Sequence, residues 1–173
     1  MDIKRYAEDN EALKLIQDAI NIFSDGEKFH NNMSRRVHML GLQGFKRWHR
    51  IQSSADRNHA IEVQHYVIDQ FSENLEVTSE YVPTTPIDLK NGLELYLEWE
   101  ISVYERISKI ANELILLNFP CEAELIQKDL KSVVKEIEKA RRNLQDFDNA
   151  SWDWKYIRIV DHRLHEKCKD IEK

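Results

Sequence analysis

Apolar residues recur at alternating steps of three and four along four long stretches of the chain, a spacing that predicts four α-helices. The first covers residues 11–39, with Leu13, Ile16, Ile20, Phe23, Glu27, His30, Ser34 and Val37 on one face. Within it, Ser24 to Glu27 has the spacing of a capping box, and Gly26 costs about 1 kcal/mol in a helix interior. The stripe keeps its phase through Gly26, so one helix with room for a kink is expected. Gly41 to Gly44 supply the permissive backbone of a tight turn. The second helix, residues 45–73, turns Phe45, Trp48, Gln52, Ala55, Asp56, His59, Val63, Tyr66 and Gln70 inward.

Residues 74–88 carry two of the three prolines and several β-branched residues, so helix cannot continue there. A third helix is expected over 89–117, with Leu93, Leu97, Glu100, Tyr104, Ile107 and Ala111 inward. Asn118-Phe119-Pro120 ends it. A fourth over 121–146 has Leu125, Asp129, Val133, Glu136, Ala140 and Leu144 inward, and a short fifth covers 152–168. Short, long and short connections specify an up-down-down-up four-helix bundle with one long crossover, the ferritin-like all-α topology.

Length and composition narrow the picture. The 173 residues suit a single domain spanning 1–173, and only four Gly and three Pro among many Leu, Ile, Glu and Lys fit an all-helical chain. No apolar run approaches the roughly 18 residues of a membrane span, and the N-terminus shows no signal-peptide core, so a cytoplasmic protein without membrane contact is expected. Cys121 and Cys168 form no CxxC pair and are expected as thiols. Arg35, Arg36, Lys46, Arg47 and Arg50 gather positive charge near the first turn. The net charge of −6 argues against a general nucleic-acid surface, and a solvated patch is the plainer reading.

The feature that carries chemistry is polar. Glu27, His30, Asp56, His59, Glu100 and Glu136 fall on inward stripes of all four long helices. An unpaired buried carboxylate costs several kcal/mol, so such a set calls for something to neutralise it. Inward carboxylates and histidines are how a bundle holds two metal ions, and their oxygen and nitrogen donors suit iron, manganese or zinc. Spacing of i, i+3 puts Glu27 with His30, and Asp56 with His59, on one helix face. The alternative is a metal-free network in which the two histidines pair with carboxylates. Trp48 and Tyr104 are expected to pack inward, Tyr104 with the further option of donating a hydrogen bond to a ligand carboxylate. In the last helix Asp161, His162, His165 and Cys168 lie at helical spacing and carry groups that can ligate a metal, while an exposed or subunit-facing helix end is the plainer reading.

Several stretches resemble the bacterial non-haem ferritins. Met33 to Ala60 (MSRRVHMLGLQGFKRWHRIQSSADRNHA) is similar to the family's first turn and second helix, with Asp56-Arg57-Asn58-His59 standing where the family has an E-x-x-H iron motif. Leu97 to Ile107 (LEWEISVYERI) resembles the third-helix segment whose glutamate binds iron, which implies that role for Glu100. Glu136 falls where the fourth helix presents a carboxylate to a second iron, and Arg158 to Lys167 (RIVDHRLHEK) resembles the fifth helix. The pattern departs in two places. The family's first-helix ligand falls on Phe23, and its fourth-helix glutamine or glutamate on Val133. One turn beyond Phe23, Glu27 and His30 form a displaced E-x-x-H, about 6 Å further along the bundle axis.

The resemblance implies Fe(II) and dioxygen as reactants, a di-iron site with Asp56 as the shared carboxylate, ferroxidase chemistry, and a homo-oligomeric shell that stores ferric iron. In such a shell the fifth helix would line a symmetric channel with Asp161, His162 and His165. Against this stands a non-catalytic shell or partner subunit whose site has decayed at Phe23 and Val133. A di-metal oxidase of organic substrates is a third reading, with no substrate-pocket signature behind it.

Overall fold

The computed structural model describes residues 3–171, which are helical apart from turns and one long connection. Helix α1 (Ile3–Met39) starts earlier than the apolar stripe suggests and passes through Ser24–Glu27 without a break. Its C-terminus closes in a Schellman arrangement: Leu42 N–H donates to Val37 O (3.0 Å) and Gly41 N–H to His38 O (2.9 Å). That geometry needs a left-handed residue, and Gly41 supplies it with φ 76°. Helix α2 (Gln43–Phe71) runs back antiparallel to α1.

The connection from 72 to 88 lies along α1. Gln17 Nε2 donates to Glu76 O, Asn21 pairs twice with Thr78, Ser79 Oγ donates to Asp25 Oδ1, and Asn32 Nδ2 donates to Thr84 O. These α1 residues recur at helical spacing, so one polar stripe of α1 is given over to holding the crossover. Asp88 then caps helix α3 (Leu89–Leu116) by accepting from Asn91 N–H at 2.8 Å.

The expected fourth helix is interrupted. It forms α4 (Pro120–Gln127) and α5 (Leu130–Asn149), with a turn at Lys128 and Asp129 between them. Both turn residues reach across to α2, where Lys128 pairs with Glu62 and Asp129 Oδ2 lies 3.1 Å from His59 Nδ1. Helix α6 (Trp154–Ile171) packs against the start of α2. The packing is close because Gly44 has no side chain: a Cβ there would stand 1.9 Å from Asp161 O.

The core has two main apolar ends. One joins Ile16, Ile20, Phe23, Val63, Val67, Ile107, Leu114 and Ile126. The other joins Val37, Leu42, Phe45, Leu93, Phe147 and Leu164. Between them, near a smaller apolar cluster around Phe29, Met33 and Tyr96, lies a polar layer. At roughly 25 cal/mol per Å2, the apolar ends supply the driving force that holds this layer out of water.

Candidate metal centre

A cavity of about 220 Å3 opens in the middle of the bundle, with Phe23, His30, Asp56, Glu100, Val133 and Glu136 among its walls. His30 comes from α1, Asp56 from α2, Glu100 from α3 and Glu136 from α5, so the four-helix crossing brings polar side chains from every side to the same space, with Gln52, Ser132 and the turn residue Asp129 beside them. His30 is 2% exposed and its Nε2 lies 3.5 Å from Glu100 Oε1 and 3.7 Å from Asp56 Oδ2. Both separations are longer than a good hydrogen bond.

Burial sets the charge state. The Glu100 carboxyl is pushed up to about 8 by desolvation, then by the neighbouring Glu136. Asp56 is pushed well above the usual carboxylate range, first by desolvation and then by Glu100, Asp129 and Glu27. Its side chain keeps 30% of its surface in solvent, which tempers that rise and places it at the cavity mouth. Desolvation holds His30 down to about 3. At neutral pH the layer therefore tends towards neutral imidazole and protonated acid.

Two partners of this layer lie on the same stripes but went unread in the sequence. His49 is 1% exposed, and its Nδ1 lies 3.0 Å from His30 Nδ1. It sits seven residues before Asp56, on the same face of α2. Burial and then His30 hold it well below the ordinary histidine value, so both rings are neutral, and one Nδ1 must donate to the other. Tyr96, four residues before Glu100, donates its hydroxyl to Glu136 Oε2 at 2.6 Å. Lys139 Nζ stands 3.8 Å from the same oxygen and 3.2 Å from the centre of the Trp48 ring. Glu136 thus reaches the cavity wall with one oxygen already engaged.

The expected site residues separate into those the fold gathers and those it does not. His30, Asp56, Glu100 and Glu136 share the cavity. Glu27 is half-buried outside it, close enough to raise Asp56, while its backbone carbonyl accepts from Ser53. His59 is buried but points elsewhere: its ring stacks on Phe23 with centroids 4.0 Å apart, Nε2 is 3.0 Å from Leu125 O, and Nδ1 faces Asp129.

Tyr104 is 40% exposed, against the inward position expected for it. Beyond Glu100 the buried stripe of α3 steps by three to Val103 and then to Ile107 and Ala111, which rotates Tyr104 outward. Asp161 is buried and accepts from Phe45 N–H at 2.9 Å. It satisfies one of the open donors at the start of α2, so one of its carboxylate oxygens is engaged within the subunit. His162 is exposed and His165 half-buried on the same helix.

Whether these residues suit a metal can be judged from the donors. The chemistry fits: a buried neutral imidazole, the buried Glu100 carboxyl and the Asp56 carboxyl at the cavity mouth are oxygen and nitrogen donors that a cation would hold, displacing the carboxyl protons. Donors about 2.1 Å from one ion lie roughly 3.0–3.4 Å from each other, within a few tenths of an ångström of the separations around His30. The geometry is not closed, since among the described residues no three His, Cys, Asp or Glu side chains converge tightly enough to grip an ion as they stand.

No protein-family model matches the sequence, and no curated protein does. Solved structures do. The open-pore ferritin of the hyperthermophilic archaeon Archaeoglobus fulgidus superposes with a TM-score of 0.80 at 17% identity, over 90% of this chain and 96% of that one. The fold is the ferritin fold. A closed form of the same ferritin, engineered by site-directed mutagenesis, gives a TM-score of 0.79 at 17% identity, covering 90% of this chain and 94% of that one. A humanized archaeal ferritin gives 0.80 at 17% identity over 90% and 95%. At that identity the likeness establishes architecture, and function has to be argued from the site.

Proposed function

We propose that this chain is a ferritin-fold iron protein that takes up Fe(II) in the polar cavity and contributes to an oligomeric shell storing ferric iron. The observation that carries this reading is the convergence of His30, Asp56 and Glu100 on a cavity at the centre of the bundle, where burial keeps the His30 ring neutral and pushes the Glu100 carboxyl up to about 8. Such groups are costly to bury and become useful when a cation replaces their protons. His30, Asp56 and Glu100 would hold the first Fe(II). Glu136 would serve a second once it gives up Tyr96 and Lys139, with Asp56 between the two. His49 would fix the His30 ring so that Nε2 faces the ion, as a hydrogen-bonded neighbour commonly does. Iron is the substrate here, each Fe(II) giving up one electron to dioxygen. The same donors suit zinc or manganese as competing ions.

A second reading has its own observation. Phe23, stacked on His59, takes the position at which the resemblance puts a first-helix ligand, and Val133 takes the position of the fourth-helix one, so neither offers a donor to the cavity. A subunit lacking both donors would keep the shell and oxidise iron slowly or not at all.

Anaerobic titration with Fe(II), followed by oxygen, separates these readings. The first expects saturable uptake of one to two Fe(II) per chain and prompt growth of ferric absorbance. The second expects little of that growth in the parent and a sharp gain in the Phe23→Glu, Val133→Gln variant. Absence of saturable Fe(II) uptake by the parent would defeat the first reading outright.

A further inference from the structure

Away from the polar layer, α2 and α6 leave between them an open cleft of about 720 Å3. Lys46, Arg47 and Arg50 line it from α2, with Gln43 at one end and Asn58 towards the other, and His165 faces it from α6. Among the described residues no Asp or Glu lines the cleft, in a chain whose net charge is −6. We infer that this cleft is an oxyanion site for phosphate groups, with Lys46 and Arg50 as its main charge contacts and His165 and Gln43 as hydrogen-bonding partners.

Three observations support the assignment. First, the cations are placed where the helix itself disfavours them. Lys46 closes the first turn of α2, which has no acidic residue, and a helix N-terminus already carries partial positive charge. Lys46 and Arg50 are also an i, i+4 like-charge pair, which costs a few tenths of a kcal/mol unless something negative sits between them. Asp161 offsets part of this through Phe45 N–H, on the side of the turn that packs against α6. Second, the side chains of Lys46 and Arg50 make no ion pair or hydrogen bond with any described residue. Third, half-buried His165 lines the cleft from α6, and its Nδ1 has no hydrogen-bond partner among the described residues, which leaves that nitrogen unspent and the ring able to turn towards an oxyanion. An arginine and a lysine one helical turn apart, with an imidazole nearby, are groups that recognise phosphate oxygens.

The test is titration calorimetry of the full chain with inorganic phosphate, tripolyphosphate and ATP, at low and high salt, beside the Lys46→Gln, Arg50→Gln variant. The parent is expected to bind tripolyphosphate with an affinity that falls as salt rises, and the variant to bind it at least about tenfold more weakly. Equal affinity for tripolyphosphate and ATP would assign the free polyphosphate as the ligand. Tighter binding of ATP would assign a nucleotide whose base and sugar extend towards Asn58. Thermal unfolding supplies a second readout: a few millimolar tripolyphosphate, too little to act by exclusion from the surface, should raise the parent's Tm and leave that of the Lys46→Gln, Arg50→Gln variant nearly unmoved. Unchanged Tm, or a variant that binds as the parent does, would overturn the site. So would binding of duplex DNA that tripolyphosphate cannot displace.

Discussion

His30 and His59 are both buried, both three residues after an acid, and both on inward stripes, yet the bundle treats them oppositely. His59 is sealed by stacking on Phe23 and spends both ring nitrogens on local partners, Leu125 O and Asp129. His30 keeps Nδ1 against another imidazole and turns Nε2 towards two carboxyls and a cavity. The difference comes from the opposing helices. At the His59 level α1 offers an aromatic ring, α4 a carbonyl from Leu125, and the turn after it the carboxylate of Asp129. At the His30 level α2 and α3 offer further polar groups with nothing to saturate them. An inward histidine is therefore a ligand candidate only when its neighbours leave a nitrogen unspent.

The largest effect that would break this comparison is on cation binding. His30→Ala should weaken Fe(II) or Zn(II) binding by about a hundredfold, whereas His59→Ala should change it by less than about threefold. Dye-competition or calorimetric isotherms measure both. Comparable losses in the two variants would mean that His59 turns into the cavity when metal arrives, and the contrast between the two levels would collapse.

The architecture was legible because it depends on periodicity, which survives single-residue exceptions. Stripe spacing located the four long helices, the prolines after α2 placed the crossover, and the glycines at 41 and 44 marked the turn. The break at Lys128–Asp129 was not legible, since it follows from partners on α2 that no local pattern announces. In the site, His30, Asp56, Glu100 and Glu136 could be read from phase alone. Tyr104 could not, because a step of three rather than four after Glu100 decides which side of α3 it takes. His49 and Tyr96 lie on the same helix faces but carry no signal of their own: an aromatic or imidazole ring at an inward position passes for core until a carboxylate or second ring stands beside it.

A smaller effect, on stability, would sharpen the account of the polar layer. Glu100 has its folded value raised from 4.5 to about 8, so its contribution to stability is full below 4.5 and is lost as pH rises through about 8. His30 is lowered from 6.5 to about 3, so its contribution is present above 6.5 and is lost as pH falls towards 3. Asp56 acts in the direction of Glu100, and His49 in that of His30. Between about pH 6.5 and 8 the acids alone set the trend. Metal-free protein should lose stability over that interval, and Glu100→Gln should flatten much of the loss and be the more stable form at pH 8. Denaturant melts at several pH values check this. An equally steep fall in the variant would mean that Glu100 is already ionised in the fold.

The smallest effect concerns Gly26, and it isolates geometry from stability. Gly26 is buried on α1 opposite Asp56, and a Cβ added there would stand 2.3 Å from Asp56 Oδ2. Alanine should gain about 1 kcal/mol from helix propensity, and the atom it strikes is the free end of a side chain at the cavity mouth, which can swing outward. The two terms nearly cancel, so Gly26→Ala should unfold within about 1 kcal/mol of the parent. Swinging Asp56 outward takes its carboxyl away from His30 Nε2, however, and cation affinity should fall by about tenfold even though no donor has been removed. Parallel melts and metal isotherms on this one variant decide the matter. Affinity that stays at the parent's level would show that Asp56 is not a ligand, and that the glycine merely relieves crowding between α1 and α2.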